Sequence, residues 1–136
     1  MSDPANVPEP AVLKRLDEEQ NVWLCTLRPD GSAHVTPVWF VYRSDRWWIG
    51  AGAGAVKVRN VQVDPRVSLA LEDGRAPVVA EGEASLIRGG FPHEVVTAFN
   101  EKYAWNVTAP TRPGPSADRV LLEVRVHRWL LSGHAQ

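Results

Sequence analysis

From Val22 onward the chain is written mainly in short β-type segments divided by turn residues, and this succession limits its folds more than any other feature. The segments VWLCTLR (22–28), HVTPVWFVY (34–42) and RWWIGA (46–51) are rich in aromatic and β-branched residues, which suit a pleated, half-buried surface. Between the first two lies Pro29-Asp30-Gly31-Ser32, in which Pro presets φ and Gly accepts a positive φ. Ser44-Asp45 marks the next turn, and the three segments are expected to form an antiparallel meander. Pro37 falls inside the second of them. It has no N–H to give to a ladder, so an edge position or a local interruption is expected there. RVSLALED (66–73), VVAEGEASLIR (78–88) and RVLLEVRVHRWLL (119–131) read as further strands, the first two joined by a turn containing Gly74.

Helical periodicity is confined to three places. Pro10 can open a helix in which Val12, Leu13 and Leu16 form an apolar stripe. A second segment, ended by Asp64-Pro65, puts Val56, Asn60 and Val63 on one face. The third and strongest, within PHEVVTAFNEKYAW (92–105), carries Val95, Val96, Phe99 and Tyr103 at helical spacing. About six strands and three helices, with the strands in runs, predict a mainly β chain with α caps: a closed or half-closed barrel. A chain of 136 residues supports one such domain over 1–136, with 1–10 as an extended N-terminal arm and the Pro-rich stretch 109–118 as a loop.

Charge narrows the partners. A formal net charge of -1, spread along the chain, makes no electrostatic case for nucleic acid or an anionic membrane. No apolar run approaches the ~20 residues that span a bilayer. The single cysteine, Cys25, has no partner for an intrachain disulfide and reads as a small buried hydrophobe, so a cytoplasmic setting is expected.

One segment invites a binding role. In Gly50-Ala-Gly-Ala-Gly-Ala-Val-Lys57, small residues precede a helix start, where backbone N–H groups can approach an anion. Its glycines miss the dinucleotide-binding spacing, and Val56 stands where a P-loop needs Gly before the lysine. A flexible loop leading to a solvated lysine is the competing reading. His34, His93, His127 and His134 show no zinc-like pairing, and no Ser-centred nucleophile elbow exists.

The pieces TLRPDG (26–31), HVTPVWF (34–40) and VKVRNVQVDPRVSL (56–69), with AEGEA (80–84) and the terminal RVLLEVRVHRW (119–129), resemble the pyridoxamine 5'-phosphate oxidase-like superfamily. More narrowly they are similar to its flavin/deazaflavin oxidoreductase branch. The resemblance implies an FMN-binding split β-barrel of Greek-key type, homodimeric, with a cofactor in each groove between barrels. It implies that Val35, Thr36, Pro37 and Val38 run beside the tricyclic ring. Ala53, Gly54, Ala55 and Val56 would follow the ribityl phosphate, and Lys57 would meet it. Val56 replaces the arginine usual in true pyridoxamine phosphate oxidases, and their basic C-terminal extension is missing, which disfavours vitamin B6 oxidation. The expected cofactor is therefore coenzyme F420, slightly favoured, or FMN, used for hydride transfer to a small organic acceptor. Trp39, Trp105 and Trp129 are candidates to line the acceptor side, with core or interface packing as the plainer role of each. A non-catalytic cofactor carrier, or a haem-binding barrel ligated by His34 or His127, is the alternative from another class.

Overall fold

The computed structural model describes residues 7–110 and 118–131. Most of the expected N-terminal arm, most of the Pro-rich loop and His134 lie outside those residues. Ten elements follow one another: α1 (Pro10–Glu18), β1 (Val22–Leu27), β2 (Ala33–Val38), β3 (Val41–Arg43), β4 (Arg46–Gly52), α2 (Val56–Val63), β5 (Arg66–Leu71), β6 (Val79–Ile87), α3 (His93–Tyr103) and β7 (Arg119–Leu130). None of the helices is long and apolar enough to cross a membrane.

The strands form one antiparallel sheet in the order β2-β1-β5-β6-β7-β4-β3. Its two end strands are neighbours in the chain, joined only by Trp39 and Phe40. The sheet must therefore curl until its ends meet, and the result is a mainly β split barrel with α caps. This corrects the expected meander. HVTPVWFVY is two strands rather than one: its first part pairs with β1 at one end of the sheet, and its second pairs with β4 at the other. Pro37 lies on the outermost strand β2, opposite Trp23, the edge position expected for a residue with no N–H to donate.

The turns behave as their chemistry requires. Gly31 takes φ +85°, while the Asp30 carboxylate accepts from the Ser32 N–H and hydroxyl. Ser44 and Asp45 both have positive φ, the twist that suits a two-residue hairpin. Inside the barrel, Leu24, Phe40, Trp47, Ile49, Leu69, Leu122 and Val124 are buried together, with α1 contributing Leu16. A second cluster packs α3, through Val95, Ala98 and Phe99, against Val41, Trp48 and Leu121.

The buried face of α2 differs from the expectation. Val58, Asn60 and Val61 are buried, whereas Val56 and Val63 are exposed. Asn60 sets that rotation: its side-chain amide donates to the Thr26 hydroxyl of β1 at 3.0 Å, and both residues are buried. This pair fixes α2 on the sheet, and with it the position of Lys57 one turn earlier. Thr26→Val removes the acceptor and leaves a buried amide donor unpaired. A loss of about 1–3 kcal/mol is expected in urea unfolding, partly recovered by adding Asn60→Leu. A single variant as stable as the wild type would show that the bond fixes nothing.

Candidate functional site

The sheet curvature creates a cleft of about 390 Å³ lined by Asn21, Pro37, Val38, Trp39, Gly50, Ala51, Gly52, Lys57, Trp105 and Arg119. Residues from six separated stretches meet there.

Trp39 sits at the link between the two ends of the sheet, and α3 holds that link. The Tyr103 hydroxyl accepts from the Phe40 N–H at 3.0 Å, and it lies 2.9 and 2.8 Å from the carbonyls of Phe40 and Gln20, to either of which it can donate. The Lys102 ammonium donates to the carbonyls of Leu16 and Phe40 and rests 3.7 Å from the centre of the Phe40 ring. Trp39 stacks on Tyr103 at 4.4 Å with an interplanar angle of 8°, yet keeps 44% of its surface exposed.

Trp105 arrives by a sharp exit from α3. Ala104 adopts a left-handed conformation (φ 52°) that ends the helix and turns the indole against Phe99 and Trp39, both edge-on. The ring crosses β4 at Gly50, where a Cβ would lie 2.8 Å from the Trp105 Cη2 and from the Val107 side chain. Glycine is needed there for the close approach. The Arg119 guanidinium lies over the Trp105 ring at 4.5 Å and donates to the Ala109 carbonyl.

Burial lowers the pKa of both Lys57 and Arg119, since each charge is partly removed from water. The described lining residues of the cleft contain these two cations and no carboxylate. The loop before α2 is partly engaged already: the Ala53 N–H donates to the Asp118 carbonyl and the Ala55 N–H to the Gly52 carbonyl. Gly54 is exposed, and Ala55 offers no side-chain cap.

The sequence candidates thus divide. Pro37, Val38, Trp39, Lys57 and Trp105 line the cleft; Ala53, Gly54 and Ala55 connect its lining residues Gly52 and Lys57 along the chain, and Val56 lines a separate groove with Arg28, Pro29, Arg59, Asn60 and Val63. Val35 and Thr36 precede this part of β2, with the Val35 side chain on the outside of the sheet. Trp129 goes elsewhere, packing on Trp47 and Tyr42 at the barrel core. His34 is paired in register with Thr26 on the inner side, its Nδ1 buried without a hydrogen-bond partner, whereas His127 lines an outer groove and lies 3.7 Å from Glu83. The two histidines occupy opposite faces of the sheet. Cys25 is half-buried in that outer groove, not enclosed as expected, because it alternates with the buried Leu24 and Thr26. Arg119 was missed in the sequence because a charge at the start of an alternating strand reads as solvated. Its register opposite Gly52 is what brings it to the cleft.

Residues 8–133 match the pyridoxamine 5'-phosphate oxidase family. The chain belongs to that family. No curated protein sequence matches it. Among solved structures it is similar to an F420 reductase, with 25% identity, a TM-score of 0.69 and coverage of 91% of this chain and 98% of that one. A conserved hypothetical protein from Mycobacterium tuberculosis superposes with a TM-score of 0.72 at 24% identity, covering 95% and 88% of the two chains. The heme storage protein HutZ from Vibrio cholerae gives 0.75 at 20% identity, covering 93% and 96%. In this member of the pyridoxamine 5'-phosphate oxidase family, much of the long motif 56–69 is scaffold. Asn60 ties α2 to β1, and Asp64 accepts from the Arg66 backbone and guanidinium, which hold its carboxyl down at about 2.

The link at Trp39 and Phe40 also carries a pH signature. Burial lowers Lys102 to about 8 and raises Tyr103 to about 12. Between about 8 and the ordinary lysine value near ~10.4, the unfolded chain binds a proton that folded Lys102 has lost, so stability rises with pH. Above ~10 the folded chain retains the Tyr103 proton that the unfolded chain gives up, and stability falls. Urea midpoints are expected to pass through an alkaline maximum near pH ~10, and Lys102→Met should remove the rising limb. An unchanged rise in that variant would refute the assignment.

Proposed function

We propose that this chain is an oxidoreductase that binds a phosphorylated flavin or deazaflavin in the cleft, F420 slightly favoured over FMN, for hydride transfer to a small organic acceptor. The observation that carries the proposal is the composition of the cleft: flat indole walls from Trp39 and Trp105, an edge strand at Pro37 and Val38, and two cations with no described carboxylate. Half of the backbone groups of an edge strand face away from its neighbour and are open to a ligand with ring heteroatoms. A tricyclic ring with an anionic side chain matches those features. The similarity to an F420 reductase supports the deazaflavin. The bound cofactor supplies the hydride chemistry, while the protein orients it and keeps water from its ring. Val56 in place of arginine argues against vitamin B6 as the substrate.

The proposed working unit is a homodimer. The registers align Pro37, Trp23, Ala70, Val79 and Leu130 into one apolar row across five strands on the outer face. Trp23 and Leu130 are 44% and 50% exposed, and neighbouring Val35 is 53% exposed. Toward β6 and β7 the row is flanked by the ion pair Arg128–Glu81 and by the Glu83 carboxylate, 3.7 Å from the His127 ring. An apolar centre with a charged rim suits a second copy of the same face. Trp23→Asp should give a monomer by light scattering, and a dimer that persists would move the interface elsewhere.

The function is tested by titrating purified protein with F420, FMN and NADPH while following tryptophan fluorescence. Tight binding of one of the first two is expected, with NADPH clearly weaker. If neither quenches at micromolar concentration, the proposal fails. Reoxidation of the bound reduced cofactor by added acceptors then separates a reductase from a carrier, and a haem spectrum in the purified protein would favour the haem-binding alternative.

A further inference from the structure

The geometry points to Arg119 as the second anion-binding residue of the cleft, which grips the phosphoryl group of its ligand between Lys57 of α2 and Arg119 of β7. This rests on the reading of the cleft as a binding site for a phosphorylated ligand. Three observations carry it.

The first is placement. Arg119 is paired with Gly52, the last residue of β4, and the chain then runs through Ala53, Gly54 and Ala55 into α2 and Lys57. The Ala53 N–H donates to the carbonyl of Asp118, next to Arg119, so the two cation-bearing segments are tied directly. Both cations therefore stand at the same end of the sheet, on one cleft.

The second is the state of the loop. A phosphate at a helix start is ordinarily held by several backbone N–H groups. Here the N–H groups of Ala53 and Ala55 are donated to carbonyls, and Ala55 provides no capping side chain. A loop with part of its donors committed needs another source of positive charge, and Arg119 is the other cation among the described lining residues.

The third is preparation. The guanidinium rests on the Trp105 indole and is anchored to the Ala109 carbonyl, which limits its rotamers before any ligand arrives. Trp105 is itself fixed by Phe99, Trp39 and the absence of a side chain at Gly50. A planar fork held on a ring can present two donors to one phosphate, which a lysine cannot.

The test compares Arg119→Gln and Arg119→Lys with wild type, using FMN against riboflavin and the deazaflavin with and without its phosphate. Arg119→Gln is expected to weaken binding of the phosphorylated member by about 10- to 100-fold and to change the dephosphorylated member by less than about threefold. Arg119→Lys should recover part of the loss, and it serves as the informative variant if Arg119→Gln does not fold. Inorganic pyrophosphate gives a readout independent of any redox cofactor: it should raise the melting temperature of the wild type and not that of Arg119→Gln. If no flavin or deazaflavin binds but this difference persists, the oxidoreductase reading fails and the role of Arg119 stands. Equal losses for phosphorylated and dephosphorylated ligands would make Arg119 a support for the Trp105 wall and overturn the inference. So would unchanged binding of every probe.

Discussion

Replacing Gly82 by alanine is expected to cost this fold more than any other single methyl group. Gly82 lies where the pairing of β6 with β7 slips by one residue, between the pairs Glu81–Arg128 and Gly82–Val126. The irregularity brings the backbones so close that a Cβ on residue 82 would collide with the Arg125 carbonyl oxygen and lie 2.9 Å from its carbonyl carbon. Neither atom can swing aside as a side chain would, so one strand of the ladder has to move. Backbone displacement in a packed sheet costs roughly 3 kcal/mol, the upper end of the usual range for overpacking and a large share of the ~5–15 kcal/mol that stabilises a domain of this kind. Gly82→Ala is therefore expected to melt roughly 10–20 °C below wild type or to accumulate as insoluble protein. Gly89→Ala is the control, because a Cβ there meets nothing within 4 Å. A Gly82→Ala protein melting within two or so degrees of wild type, about the effect of half a kcal/mol, would mean that the close approach is not a feature of the folded chain.

The second large effect is on binding. Lys57 emerges from the first turn of α2 into a cleft without a described carboxylate, and burial lowers its pKa because water is partly excluded. It follows a helix start, where the dipole already favours an anion. A charge-assisted hydrogen bond to phosphate is worth about 1.5–3 kcal/mol, so Lys57→Ala should weaken a phosphorylated flavin or deazaflavin about 10- to 150-fold. Melting temperature should change little, because no ion pair depends on this residue among those described. A solvated surface lysine would change affinity less than about twofold. Isothermal titration with riboflavin beside FMN separates the two readings. Comparable losses for both ligands would place Lys57 away from the phosphate.

The elements that could be recognised in the sequence are those whose cause is local. Gly31 and the Ser44-Asp45 pair announce turns through their own backbone chemistry, and α3 shows its buried Val95 and Phe99 at helical spacing. The break after Val38 is only hinted at by Pro37, which marks an edge or an interruption, while VWFVY beyond it continues the β-type run. What breaks it lies 62 and 63 residues later, where Lys102 and Tyr103 take the backbone groups of Phe40. The orientation of α2 was misjudged for a similar reason. Its apolar residues fit two faces almost equally, and the choice is made by a hydroxyl on β1. In the cleft, Lys57 was visible through the small residues before it, and Trp39 and Trp105 through their size. Arg119 depends on a strand register, which no local pattern encodes.

The position of β7 also bears on how the chain is made. It lies between β6 and β4, and apart from it β3 and β4 are joined to the other strands only along the chain, at the two-residue link of Trp39 and Phe40 and through α2 to β5. Synthesis delivers β1 through β6 before the strand that unites them. At ribosomal speeds the interval between completion of β4 and arrival of β7 is on the order of several seconds. Throughout it the edge of β4 that will face β7 has no partner, nor has that of β6 once β6 is made, and such edges pair readily with those of other chains. Nascent chains crowded on one messenger are the nearest source of such edges, so yield of this fold should depend on the spacing of ribosomes as well as on the stability of the finished barrel.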